Sequence, residues 1–341
     1  MRVGILSFAH LHAESYLSAL MAMPDVHVMG IADENLRRGG HFATQFGVPL
    51  YDSYDEMLHD KPDGVIVCSE NAHHLPLVRL AANAGAAVLC EKPLATTVED
   101  AWEIVRVCAA ADVPLMTAFP MRFSAPALEI DKLVKSGGLG RIYGANTTNQ
   151  GSLPQFHQAE HLAFLGRDWF TDPALAGGGA LTDHIVHLAD MLRWMFASEV
   201  TEVYAASNSI LHAGKVEVET GGLVMLTFAN GTFASIDCSW SKPAYYPTWG
   251  GLKMEIVAEK GLATMDAFRQ AMTVYRDAAA RPQLAYWGSD ANAAMLGEFI
   301  AAAREHRMPS VTGEDGLRAV EIVAAAYESA RTGQPVSINK P

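Results

Sequence analysis

Short apolar runs recur along the first 120 positions, each followed by a stretch with helical spacing. "RVGILS" (2–7) is apolar without a 3.6-residue period, the pattern of a strand buried on both faces. Residues 12–23 carry a helix pattern that Pro24 stops. "VHVMGIAD" (26–33) predicts a second strand, with a helix after it through about Phe46. "GVIVCS" (64–69) is a third, with a helix from His74 to Ala84 ended by Gly85. "AAVLCEKP" (86–93) is a fourth. Thr97 is placed to cap a helix to Ala111, with Glu99 and Asp100 in its first turn. "VPLMTAF" (113–119) is a fifth strand. This alternation predicts βαβ units and a parallel sheet covered on both faces.

Beyond Phe119 the pattern changes. A helix from about Ala125 to Ser136 ends at Gly137-Gly138. The later runs are longer and mixed: "RIYGANTTNQ", "EVTEVYAASNSI", "TGGLVMLTFANGTFASIDCSW" and "LKMEIVAEKGLATMDA". "ANGT" (229–232) and "EKGL" (259–262) read as hairpin turns. The expected fold is α/β: an N-terminal Rossmann-type parallel-sheet domain over 1–120, and a C-terminal α+β domain with a large, mostly antiparallel sheet over 121–341.

Composition narrows the partners. The 341 residues suffice for two cores. Lys and Arg number 25 against 38 Asp and Glu, a net charge of −13, which argues against nucleic acid. No window approaches a membrane span, and the first apolar run is too short for a signal peptide. Cys68, Cys90, Cys108 and Cys238 show no C-x-x-C spacing, and Cys68 and Cys90, which end apolar runs, read as reduced core residues. A cytoplasmic enzyme or binding protein fits these constraints.

The loop after the first strand carries the chemistry question. A dinucleotide-binding βαβ unit turns through G-x-G-x-x-G and places an acid about 20 residues on, against a ribose. Here the loop reads Ser7-Phe8-Ala9-His10-Leu11-His12. Ser7 and Ala9 are small enough for a backbone to approach a pyrophosphate, but positive φ costs them more than glycine. His10 and His12 are either phosphate donors or loop histidines. Asp33 stands where the ribose acid is expected; the plainer alternative is a turn residue. The H-x-H and H-x-x-H pairs among 13 histidines lack a third ligand in any metal pattern, and no metal is expected.

"CSENAHHLPLVRLAANAGAAVLCEKPLA" (68–95) resembles the glucose–fructose oxidoreductase, inositol dehydrogenase and rhizopine-catabolism family (Gfo/Idh/MocA). That family has a strand ending in a small polar residue, here Ser69, then N-x-x-H, here Asn71 and His74. A helix and a strand closing on E-K-P follow, here Glu91, Lys92 and Pro93. "DPALAGGGALTDHIVHLADMLRW" (172–194) is similar to the family's A-G-G-G-x-L-x-D-x-x-x-H segment, matched by Gly177, Gly178, Gly179, Asp183 and His187. "GEDGLRAVEIVAAAYESARTGQPV" (313–336) resembles its closing helix. The glycine loop is the clear departure.

The resemblance implies an NAD-dependent oxidoreductase, NADP being second choice, acting on a secondary alcohol of a sugar, polyol or sugar derivative. It implies Lys92, Asp183 and His187 as the catalytic group. Ser7, Phe8, Ala9, His10, His12, Asp33, Ser69, Asn71, His74, Glu91, Lys92, Pro93 and Arg122 would be the cofactor contacts. Asp183 and His187 are four apart and share a helix face. A histidine suits removal of a hydroxyl proton, since its unperturbed pKa is about 6.5. Lys92 would bond that hydroxyl or the nicotinamide ribose. Trp169, Trp240, Tyr245, Tyr246 and Trp249 are candidates to stack on a sugar. Two other readings share this fold: a sugar- or nucleotide-sensing protein without turnover, and a glycosidase that uses bound NAD by transient oxidation. The resemblance also implies a homodimer or homotetramer.

Overall fold

The computed structural model describes residues 1–154, 166–246, 248, 250–269, 271–274, 283–286 and 288–338. Elements of the first third are β1 Arg2–Leu6, α1 His12–Met21, β2 His27–Ala32, α2 Leu36–Phe46, β3 Leu50–Tyr51, α3 Tyr54–His59, β4 Gly64–Val67, α4 His74–Asn83, β5 Ala87–Cys90, α5 Val98–Ala110 and β6 Leu115–Thr117. There follow α6 Ala125–Lys135, β7 Ile142–Ser152, α7 Pro173–Ala176, α8 Ala180–Phe196, β8 Val200–Asn208, β9 Gly221–Phe228 and β10 Phe233–Lys242. The last are β11 Gly250–Ala258, β12 Gly261–Asp266, β13 Ala271–Val274, β14 Gln283–Tyr286, α9 Ala291–Glu305, α10 Gly313–Thr332 and β15 Val336–Ser337.

The chain forms two compact units. The first holds Met1–Phe119, a stretch ending at Gly179, and Asn292–Glu321. The second begins at Pro120 and includes Ala180–Ala291 and Ile322–Pro341. The division is therefore more than a single cut near residue 120. The first unit's core recruits Leu317 and Val320 of α10, and Thr117 Oγ1 donates to the Thr312 carbonyl at 3.1 Å. Gly316 permits that approach: a methyl there would meet Thr117 Oγ1 at 2.3 Å.

In the first unit six parallel strands run β3-β2-β1-β4-β5-β6. β4 and β5 are buried at every residue, which explains their unbroken apolar runs. Caps set the helix ends. Asn35 accepts from the Arg38 N–H at the start of α2, and Gly47 ends it at φ 67°. Thr97 accepts from the Asp100 N–H at the start of α5. Strand β3 and helix α3, started by the Ser53 cap, have no counterpart in the sequence pattern. The strand order reverses between β1 and β4, and open sheets of this kind bind ligands beyond the strand ends at that reversal.

In the second unit seven strands run β12-β11-β7-β10-β9-β8-β15. All pairs are antiparallel except β10 with β7. The two hairpin turns fall at Gly231 (φ 82°) and Gly261 (φ 142°), between β9 and β10 and between β11 and β12. Helix α8 packs on β7, β9 and β10 and is buried along most of its length.

Candidate functional site

In the first unit the loop after β1 takes the glycine conformation without glycine. Ser7 has φ 71°, a left-handed backbone that costs a non-glycine residue roughly 1 kcal/mol. The loop recovers this through hydrogen bonds. Ser7 N–H donates to the Ala32 carbonyl at 2.7 Å, and its Oγ accepts from the Ala9 N–H at 3.2 Å. Phe8 is buried and stacks on Phe42 of α2, centroids 4.8 Å apart. Helix α1 starts from this loop with Leu11 at its cap position, which makes no side-chain capping bond.

Asp33, at the end of β2, is fully engaged. Its Oδ2 accepts from the Phe8 N–H and from Arg38 Nε, both at 2.8 Å. Its Oδ1 accepts from the Asn35 N–H at 2.9 Å and from Arg38 Nη2 at 2.8 Å. Arg38 also donates to the Gly166 carbonyl at 3.2 Å and lies 3.6 Å from Glu70. Burial works against its charge, but the Asp33 hydrogen bonds together with the charges of Asp33 and Glu70 outweigh it, so its pKa is raised.

His10, His12 and Glu91 come together although 79 residues separate the second and third. His12 Nδ1 lies 2.9 Å from Glu91 Oε1, and His10 Nδ1 lies 3.8 Å from it. The His12 N–H donates to His10 Nδ1 at 3.2 Å. Glu91 is completely buried. Burial pushes its pKa up, but His10, His12 and Lys92 pull harder, and its carboxyl ends below the ordinary range. Each of the three residues brings a possible ligand atom within 4.8 Å of the others. The sequence spacing of the histidines gave no sign of this third member. In this structure His12 links the other two, its ring bonded to Glu91 and its backbone N–H to His10 Nδ1.

Around this cluster the E-K-P residues are packed tightly. Lys92 is buried and its N–H donates to Glu91 Oε2 at 2.9 Å; the Lys92–Pro93 peptide is cis. His74 is buried with Nδ1 at 3.0 Å from the Pro93 carbonyl and 3.2 Å from that of Leu94. Burial lowers its pKa, so it is a neutral bolt behind the turn. Asn71 donates to the Ala176 carbonyl at 2.9 Å, and Ser69 Oγ to the Glu70 carbonyl at 3.1 Å. Gly177, at φ 81°, stands against Thr96: a Cβ would lie 2.8 Å from the Thr96 Cβ. Trp169 Nε1 donates to the Ala9 carbonyl at 3.2 Å, which gives the aromatic a local structural task.

In the second unit Asp183 and His187 sit one turn apart on α8. The start of that helix is held by Glu219, whose carboxylate accepts from the Leu181 N–H at 2.9 Å and from the Tyr327 hydroxyl at 2.8 Å. Trp240 of β10 donates its indole N–H to Asp183 Oδ2 at 3.1 Å. His184 Nδ1 lies 3.7 Å from the same oxygen. Arg122 is buried in a two-pronged ion pair with Asp190 of α8, Nε to Oδ2 at 2.6 Å. That pairing gives it an anchoring role in the second unit. Tyr245 is largely exposed, and Lys242 Nζ lies 5.1 Å from the ring centroid of Tyr246. Trp249 lies outside the described residues. Lys92 belongs to the first unit, Asp183 and His187 to the second.

Sequence reasoning set Arg37 and Arg38 near Asp33 as charges that soften its repulsion of a 2′-phosphate but did not pair Arg38 with the carboxylate; it missed Trp240 as the partner of Asp183, and Glu14 and Arg167 altogether. Arg38 had a signal, since five residues after an acid at a strand end fall on the first turns of the next helix. The others come from distant segments and had none.

Residues 1–119 match the oxidoreductase family with an NAD-binding Rossmann fold, and residues 127–264 match the GFO/IDH/MocA C-terminal domain. The chain is 30% identical to 1,5-anhydro-D-fructose reductase of Ensifer adhaerens, over 99% of this chain and 98% of that one. It is 26% identical to myo-inositol 2-dehydrogenase of Thermotoga maritima, over 100% and 99%. Among solved structures it resembles GenD2 of gentamicin A biosynthesis in complex with NAD, with TM-score 0.87, 25% identity and coverage of 100% and 97%. The chain belongs to the GFO/IDH/MocA family of oxidoreductases.

Proposed function

We propose that this protein transfers a hydride between NAD and a secondary alcohol of a sugar, polyol or sugar derivative. The observation that carries the reading is the Asp183–Trp240 bond on α8: a carboxylate one turn from His187 is fixed in orientation, as an acid–base pair requires. The first unit offers a cradle for the cofactor. Ser7 holds the first-glycine conformation, helix α1 follows the loop directly, and Asp33 stands at the end of β2. The named residues fit a dinucleotide on these counts.

Bound NAD supplies the hydride acceptor. His187 removes the hydroxyl proton, Asp183 orients the imidazole, and Lys92 bonds the hydroxyl or the adjoining ribose. NAD is the expected form. Asp33 and Glu70 set two carboxylates around the one guanidinium of Arg38, and that negative excess opposes a 2′-phosphate.

The sheet face of the second unit supports a homo-oligomer. Leu223, Met225, Phe233 and Leu262 are each more than half exposed there, and Met225 pairs in register with Tyr204. The four buried free cysteines favour the cytoplasm. Among the described residues no helix is long and apolar enough to cross a membrane.

The test is NADH formation with a panel of aldoses, polyols and inositols, with products identified. Net NADH with a keto product supports the reading. Glycoside cleavage without net NADH transfers the site to the transient-oxidation reading. Sugar and NAD binding without turnover makes the protein a sensor.

A further inference from the structure

A glycine-rich phosphate loop binds through its amides. In this chain those amides already have acceptors. Phe8 N–H donates to Asp33 Oδ2 at 2.8 Å and Ala9 N–H to Ser7 Oγ at 3.2 Å. His10 N–H donates to the Cys68 carbonyl at 2.8 Å, and Ala13 N–H to the His10 carbonyl at 3.2 Å. His12 N–H donates to His10 Nδ1.

A guanidinium lies against the loop in their place. Arg167 donates from Nε and Nη2 to the Phe8 carbonyl, at 3.1 and 2.9 Å. Its Nη1 donates to Glu14 Oε1, in the first turn of α1, at 2.5 Å. Its charge sits 4.6 Å from the ring centroid of Phe42. All of these residues belong to the first unit. A carbonyl is a weak partner for a buried cation; burial lowers the Arg167 pKa, and Glu14 offsets this only in part. Glu14 is about a third exposed and so can part from it. A phosphate offers what the carbonyl does not, a charge and two oxygens matched to the guanidinium fork.

We propose that Arg167 is the phosphate ligand of this chain, contributing the contact with a dinucleotide's pyrophosphate that loop amides make in a glycine-rich site. The inference rests on the dinucleotide reading above. Glu14 is the resting partner that the anion displaces. The rival role is a clamp that only shapes the loop. A clamp would alter binding of any ligand seated there, whereas a phosphate ligand alters binding of phosphorylated ligands alone.

Calorimetric titration of the whole protein with NAD, ADP-ribose and adenosine separates these. Arg167→Met should weaken NAD and ADP-ribose by roughly 10- to 100-fold, flatten their salt dependence, and leave adenosine unchanged. Arg167→Lys should restore part of the loss. Wild-type protein that binds neither NAD nor ADP-ribose sinks the dinucleotide reading itself. Wild-type binding that Arg167→Met leaves intact, or a loss shared by adenosine, overturns this inference alone. Should Arg167→Met fail to fold, Glu14→Gln decides. Releasing the guanidinium should tighten ADP-ribose about threefold or more without affecting adenosine; no change, or weaker binding, overturns the role.

Discussion

Arg38 grips both oxygens of Asp33, Nε on Oδ2 and Nη2 on Oδ1, each at 2.8 Å. Both side chains are almost wholly buried, so neither charge has water to fall back on. Removing one partner of such a pair costs about 3–5 kcal/mol. Arg38→Met should lower unfolding free energy by that amount in urea titrations. Asp33→Asn added to it should recover part of the loss, because the stranded charge is then gone. A stability change under 1 kcal/mol in Arg38→Met would mean that the Asn35 and Phe8 amides suffice.

The same pair sets cofactor choice. Asp33→Ala should narrow the preference for NAD over NADP, as it removes a carboxylate and releases Arg38. Binding titrations with both cofactors check this. Unmutated protein that binds or turns over NADP better would show that Arg38 dominates the ribose end.

On the chemical step, His187→Ala should lower kcat by roughly 10²–10⁴-fold with little change in NAD affinity. The rise of kcat/KM with pH should flatten. Lys92→Met should slow turnover as well and weaken NAD if it touches the ribose. Asp183→Asn should be intermediate, since Trp240 still holds the side chain. Full activity in His187→Ala with an unaltered pH profile would leave Lys92 as the base.

Glu91 links stability to acid. Its folded pKa lies below the unfolded value of about 4.3. Stabilisation from this ionised group is therefore complete above that value and is lost as pH falls from it toward the folded pKa. Glu91→Gln should destabilise the protein by about 1–3 kcal/mol near neutrality. The gap between the two proteins should begin to narrow below about pH 4. A gap independent of pH from 7 down to about 3 would separate the effect from ionisation.

Charge on the exposed sheet face should disrupt assembly. Met225→Glu together with Phe233→Glu should shift sedimentation toward a monomer while leaving the unfolding midpoint of the monomer near that of the parent. A wild-type protein that sediments as a monomer at all concentrations would remove the oligomer reading.

Much of the architecture was legible because strands buried on both faces must be written as apolar runs, as "GVIV" and "AVLC" are. Thr97 announced its helix by capping chemistry that is local in sequence. Strand β3 is two residues long and too short to carry a period. The site was legible only where spacing is local, as for Asp183 and His187. Glu91 beside His12, Trp240 beside Asp183 and Arg167 on the Phe8 carbonyl join residues far apart in the chain, and no periodicity encodes such meetings. In the loop after β1, conformation rather than residue type is what the turn needs, and Ser7 adopts it.

The division of the chain bears on the order in which the protein is made. The strands of the first sheet are all synthesised by residue 117, yet their core still lacks Leu317 and Val320, and Gly64 lacks Phe299 against it. The nascent Rossmann half must wait, its apolar cover missing, while almost the entire second sheet is translated. Cutting the gene after residue 120 would yield a fragment with an uncovered core rather than a free nucleotide-binding module. Chaperone contact is then expected in that interval of synthesis, a vulnerability that belongs to the path of the chain and not to the finished fold.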